Sequence, residues 1–128
     1  MADHSYPVVM IGGVPVVEAP QEIDLSNAEW FGAVLLRAAS GGHRAVVVNM
    51  AGTRFCDSSG LHALAKAYNR ATAEKCELLL IMPASDIALH VLTLSGLDQR
   101  IRGFTNLNEA LAWADAVIPR PLQAPATP

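Results

Sequence analysis

The sequence predicts an α/β sandwich: a mixed sheet of about five strands with helices packed against it, opening with a β-hairpin. Three observations predict it. Two β-branched apolar runs flank Gly12-Gly13 near the start of the chain; amphipathic stretches with three- and four-residue spacing then alternate with short apolar runs; and 128 residues with 52% hydrophobic content match one buried core of ordinary size.

The elements follow in order. Val8-Val9-Met10-Ile11 and Val14-Pro15-Val16-Val17 are joined by two glycines able to take the positive φ of a tight hairpin. Pro15 has no N–H, so at least one of these strands belongs at an edge or is bulged. Ser26-Asn27-Ala28-Glu29 has capping-box spacing and predicts a helix. Its apolar stripe is Trp30, Ala33, Val34 and Ala38, broadened by Phe31, Leu35 and Leu36, and Gly41-Gly42 stops it. Ala45-Val46-Val47-Val48 is apolar on both faces, as in a central strand covered on each side. A second helix buries Leu61, Leu64, Ala65, Tyr68 and Ala71 and turns His62, Lys66, Asn69 and Arg70 outward. Leu78-Leu79-Leu80-Ile81 is a buried strand ended by Pro83. Ser85 caps a helix whose apolar positions are Ile87, Val91 and Leu94 and which stops at Gly96. A short strand over residues 101–104 precedes a last helix capped by Asn106, with Glu109 at N3 and Leu107, Ala110, Leu111 and Ala114 on its apolar side. Residues 119–128 hold four prolines, cannot continue a helix and are expected to form a mobile tail.

Composition excludes several classes. Nine Lys and Arg against twelve Asp and Glu give a net charge of −3, with no basic run interleaved with aromatics, so nucleic acid is not an expected partner. No apolar stretch is long enough to span a bilayer, and the polar start Met1-Ala2-Asp3-His4 lacks the pattern of a signal peptide; a cytoplasmic protein without membrane partners is expected. Cys56 and Cys76 are outside any CxxC context and read as free buried thiols. His4, His43, His62 and His90 lack metal-ligand spacing, and there is no P-loop or dinucleotide fingerprint, so no metal and no cofactor are expected.

The most informative stretch is Asp57-Ser58-Ser59-Gly60-Leu61, two hydroxyls where an apolar run gives way to a helix. Unpaired N–H groups and the positive end of the helix dipole make such a place tolerant of an anion. Asp57 or Ser58 is positioned to be the N-cap, with Ser58 the favoured capping residue. That leaves Ser59 in the first turn with its hydroxyl outward, and Gly60 keeping the adjacent surface low for a close-approaching partner.

Taken with Asp24-Leu25 before the first helix, Asn49 at the end of a strand and the later Leu94-Ser95-Gly96-Leu97-Asp98, this run resembles the STAS domain over residues 8–116. Among STAS proteins the chain is most similar to small single-domain bacterial anti-sigma factor antagonists. The resemblance implies a STAS-like sandwich over residues 1–118. It also implies phosphorylation at Ser59 by the anti-sigma factor, a serine kinase of the histidine-kinase-like ATPase fold, and reversal by a PP2C-type serine phosphatase. The unphosphorylated chain would bind the anti-sigma factor around Asp24, Asp57, Ser58, Gly60 and Leu61, free the sigma factor and so regulate transcription; on the exposed side of the second helix His62, Lys66 and Arg70 form a group that either meets an acidic partner face or is simply a solvated helix face. Ala19-Pro20-Gln21-Glu22 lacks the glycine that usually precedes the acidic residue in the family, and Asn49 stands where many relatives carry Asp.

Two other functions compete. One is a constitutive STAS scaffold in a lipid-transport or signalling assembly. The other is a serine hydrolase, which the sequence disfavours: residues 56–60 do not read G-x-S-x-G, and His62 lies on the following helix along its own face, so no catalytic residue is assigned.

Overall fold

The computed structural model describes residues 8–119; the expected tail beyond Pro119, and His4, lie outside it. Strands β1 (Val8–Ile11) and β2 (Val14–Glu18) pair antiparallel, Val8 opposite Val17 and Ile11 opposite Val14. Gly12 and Gly13 take φ of 59° and 80°, the two positive values that a hairpin turn matching strand twist requires. Pro15 sits in β2 opposite Met10 of the edge strand β1, one residue before β2 begins pairing with its other neighbour at Val16.

Strand β3 (Glu22–Ile23) leads into helix α1 (Ala28–Ala39), and β4 (Ala45–Asn49) follows. Next come β5 (Phe55–Cys56), α2 (Ser58–Ala73), β6 (Glu77–Ile81), α3 (Asp86–Ser95), a 3-10 turn at Leu97–Gln99, β7 (Arg102–Phe104) and α4 (Leu107–Val117). The main sheet has the order β1-β2-β4-β6-β7, parallel except for β1; β3 and β5 form a separate two-stranded parallel ladder.

Alternation along the central strands separates two cores. Val46, Val48, Leu78 and Leu80 face α1 and α2, where Phe31, Leu35, Leu64 and Ala67 meet them. Val47, Leu79 and Ile81 face the opposite way onto Ala110 and Ala114 of α4. With Val46, Val47, Val48, Leu79 and Leu80 all at 0% exposure, each contributes about 1.5–3 kcal/mol of apolar burial. Arg44 secures α4 from below, donating to the carbonyls of Ala114 and Ile118 and pairing with Asp115 at 2.8 Å.

Several expectations are corrected. The capping box at residues 26–29 does not form: Ser26 gives both its N–H and hydroxyl to Asp24 Oδ1, and α1 begins at Ala28 after Asn27, whose side chain makes no cap bond. A local side-chain turn has outcompeted the cap. Asn27 instead accepts from the Asp24 N–H at 3.0 Å and donates to the Glu22 carbonyl at 2.8 Å. The buried stripe of α1 is Ala28, Phe31, Val34, Leu35, Ala38 and Ala39, leaving Ala33 exposed. On α3 the burial is by Ala88 and Leu92, while Ile87 and Leu94 are 65% and 73% exposed. Helix α2 buries Leu64 and Ala71 as expected, together with the small residues Gly60, Ala63 and Ala67, while Leu61, Ala65 and Tyr68 are only half-buried. Small residues let α1 approach closely: a Cβ on Gly32 would stand 3.3 Å from that of Ala63.

Helix α2 ends in a Schellman motif, the Cys76 N–H donating to the Ala71 carbonyl and the Lys75 N–H to that of Thr72. Lys75 sits at φ 58°, a position where glycine is favoured. Lys75→Gly is therefore expected to stabilise the fold by about 0.5–1 kcal/mol, seen as a rise in thermal midpoint of about 2–4 °C. A fall in the midpoint would mean that the lysine side chain contributes more than its backbone strain costs.

Candidate functional site

The β3–β5 ladder assembles the site. Ile23 pairs with Cys56, and the Asp57 N–H donates to the Ile23 carbonyl at 3.0 Å, so the residues that follow, Asp24 and Asp57, emerge side by side. The loop carrying Asp24 is thereby fixed against the start of α2. Thr53, buried, ties the same loops together through its hydroxyl bond to the Pro20 carbonyl at 2.9 Å.

Asp57 is the N-cap of α2. Its Oδ1 accepts from the Ser59 N–H at 2.9 Å and the Gly60 N–H at 3.3 Å, and the Ser59 hydroxyl donates to the same oxygen. The expectation that Ser58 caps the helix is corrected: Ser58 is the first helical residue and is exposed. A carboxylate makes charge-assisted bonds to the helix N–H groups that a hydroxyl cannot match. The Ser59 hydroxyl bond above all, with the N–H groups of Gly60, Ser59 and Leu25, holds the Asp57 carboxyl below the ordinary range against a smaller opposing effect of partial burial. A depressed carboxyl contributes stability that is present above its unfolded value, about 3.9, and lost as pH falls through its folded value. Asp57→Asn is accordingly expected to narrow the stability gap to wild type as pH drops below about 4, measured by denaturant midpoints across pH; a gap constant down to pH 2 would refute this.

Gly60 serves the interior. It is buried, and a Cβ there would stand 2.6 Å from both Cys56 Sγ and Ile23 Cγ2, so its missing side chain makes room for the ladder and does not lower an outer surface. Cys56 and Cys76 are free and buried, as expected; burial, reinforced by neighbouring carboxylates, pushes each thiol up to about 11, leaving little thiolate.

Between α1 and α2 runs a groove of about 400 Å³ whose lining includes Ser59, His62 and Lys66 from α2 and Leu25, Glu29 and Leu36 from the facing side. Leu25 is 83% exposed at its mouth. Ser58, Leu61 and His62 line a second groove on the other flank, against Ser95, Gly96 and Leu97. The later Ser-Gly-Leu run is thus adjacent to the first motif. Arg70 stands apart from this group, donating to Ser40 Oγ at 3.0 Å. Asn49 forms a side-chain turn to the Ala51 N–H at 3.0 Å and also donates to Glu18 at 2.9 Å. Leu25, Phe55, 41% exposed, and the outward face of α3 have no site role among the sequence expectations; a leucine directly after an acidic loop residue is the available signal. The Ser59 hydroxyl donates to a carboxylate and not to an imidazole, and no group of three or more potential metal ligands occurs among the described residues. No described helix is long and apolar enough to cross a membrane.

Solved structures share this architecture. An anti-sigma factor antagonist from Mycobacterium paratuberculosis is 24% identical, with a TM-score of 0.75 over 84% of this chain and 91% of that one. The anti-sigma factor antagonist SpoIIAA in its unphosphorylated form is 19% identical, TM-score 0.71, over 90% and 100% of the two chains. The phosphorylated form of SpoIIAA, a Bacillus cell fate determinant, is 23% identical, TM-score 0.64, over 84% and 97%. A sulfate transporter family protein from Wolinella succinogenes is 22% identical, TM-score 0.70, over 84% and 89%. No curated protein matches the sequence. These likenesses bear on the fold. The STAS domain family model itself matches residues 5–110, and with the ladder-built serine turn in place the chain belongs to the STAS domain family.

Proposed function

We propose that this chain is an anti-sigma factor antagonist switched by phosphorylation of Ser59. In the unphosphorylated state it binds and sequesters an anti-sigma factor serine kinase of the histidine-kinase-like ATPase fold, releasing a sigma factor for transcription. A PP2C-type phosphatase restores that state. The observation that carries the reading is the Ser59 hydroxyl held by Asp57 at the start of α2, on the lining of a groove beside exposed Leu25. Family membership and the fold shared with SpoIIAA, whose structure exists in both phosphorylation states, support it. In this reading Asp24, Ser58, Leu61, His62 and Lys66 contact the partner together with Leu25, while Asp57 positions Ser59 and Gly60 keeps the turn packed.

The test is intact-mass analysis after incubation with ATP, magnesium and each ATPase-fold serine kinase of the source genome. One phosphate, mapped to Ser59 and absent from Ser59→Ala, is expected. Phosphate on Ser58 alone, or none with any kinase, would refute the proposal. The fold shared with the sulfate transporter family protein favours a second reading, a constitutive scaffold subunit. That reading requires a stable complex that Ser59→Asp leaves intact.

A further inference from the structure

A third concave site lies at the far end of α2 from Ser59. It encloses about 420 Å³ and is lined by Lys75, Arg100 and Arg102, with the hydroxyl-bearing Tyr68 and Thr72 beside them and Glu77 as the one carboxylate. The volume is in the range of small-ligand pockets. On a chain whose net charge is −3, three cations against one carboxylate is a local reversal of sign. None of the three cations makes an ion pair among the described residues, where the recorded pair is Arg44 with Asp115. Three like charges gathered in a concavity with Glu77 as the one lining carboxylate are only partly compensated, and a bound anion lowers the remaining repulsion.

Two further features hold the cations in place. The Arg102 guanidinium carbon lies 4.5 Å from the centroid of the Trp113 ring, which is itself packed against Phe104, so this planar donor fork is pre-oriented. Lys75 is itself the left-handed residue that closes α2, and its N–H bond to the Thr72 carbonyl fixes its backbone there. Cations of this kind beside two hydroxyls match a tetrahedral oxyanion, which takes several charge-assisted bonds at once. A nucleic-acid backbone would need a basic stripe and not one pocket on an acidic chain.

We propose that this pocket binds a phosphate-bearing small molecule through Lys75, Arg100 and Arg102. Lys75 and Arg102 lie away from Ser59, while Arg100 also borders the groove lined by Ser58, Leu61 and His62; the proposal does not depend on the proposed switch.

The probe is inorganic pyrophosphate, titrated at constant ionic strength into isotope-labelled full-length protein and followed by amide and indole NMR shifts. Saturable shifts at the Trp113 indole and around Lys75 and Arg102 are expected, with a Kd of about 1 mM or tighter, unchanged in Ser59→Asp. Arg100→Gln and Arg102→Gln, both at exposed positions, are each expected to weaken binding at least about fivefold, and the double variant to abolish it. Thermal melts establish that the variants are folded. Shifts that sodium chloride reproduces, shifts that survive the double variant, or none up to tens of millimolar would each overturn the proposal. So would co-sedimentation with phosphatidylglycerol vesicles that pyrophosphate does not displace, since the occupant would then be a membrane surface.

Discussion

Ser59→Asp is expected to lower affinity for the anti-sigma factor kinase by at least about 100-fold, or 2.7 kcal/mol, while leaving the thermal midpoint within about 2 °C of wild type. The asymmetry follows from the geometry. Asp57 caps α2 through two backbone N–H groups, and these bonds do not need the Ser59 hydroxyl. The hydroxyl bond itself does need it, and neither a carboxylate nor a phosphoserine can donate to Asp57. A phosphate brings about −1.5 to −2 charges to a groove where Lys66 is the cation and Glu29 an acid, with Asp57 and Asp24 alongside. The altered charge therefore falls on the face proposed to dock, and only weakly on the core. Calorimetric titration of wild type, Ser59→Ala and Ser59→Asp measures this. Ser59→Ala should bind within about threefold of wild type, well under one kcal/mol; Ser59→Asp binding equally well would leave the scaffold reading in place.

Gly60→Ala is expected to destabilise the domain by about 2–3 kcal/mol, close to 10 °C in thermal midpoint. The added methyl would overlap Cys56 Sγ and Ile23 Cγ2, and Ile23 Cβ lies 3.1 Å away. Neither neighbour can yield easily, since Ile23 is β-branched and both are buried in the main core. Displacing them shifts the β3–β5 ladder, and with it the juxtaposition of Asp24 and Asp57. Cys56→Ala removes one of the two overlapping atoms, so the double variant should recover part of the loss; a double-mutant cycle read from denaturant midpoints gives the coupling. A change below about 0.5 kcal/mol in Gly60→Ala would show that the turn relaxes freely.

These two expectations rest on different kinds of information. The hairpin glycines, the caps at Ser85 and Asn106, the glycine stop at Gly96 and the apolar strands are local, and each was legible because its chemistry lies within a few residues. The serine run was legible as a helix start for the same reason. Which of its residues would cap was not, because Asp57 and Ser58 are both acceptable by local rules and the β3–β5 ladder sets where the helix begins.

By itself, then, the sequence determined a hairpin-led α/β domain, its main strands and helices, and a serine turn able to carry an anion. Tertiary structure alone decided that α3 buries Ala88 and Leu92 and turns Ile87 and Leu94 to solvent, that Gly60 faces inward, and that Leu25 stands at the mouth of a groove containing Ser59. The physical reason is that periodicity marks which positions are apolar, whereas burial depends on what the facing element supplies. Two-residue strands have no periodicity to read. The ladder joining residues more than thirty positions apart therefore appears only when both partners are in place.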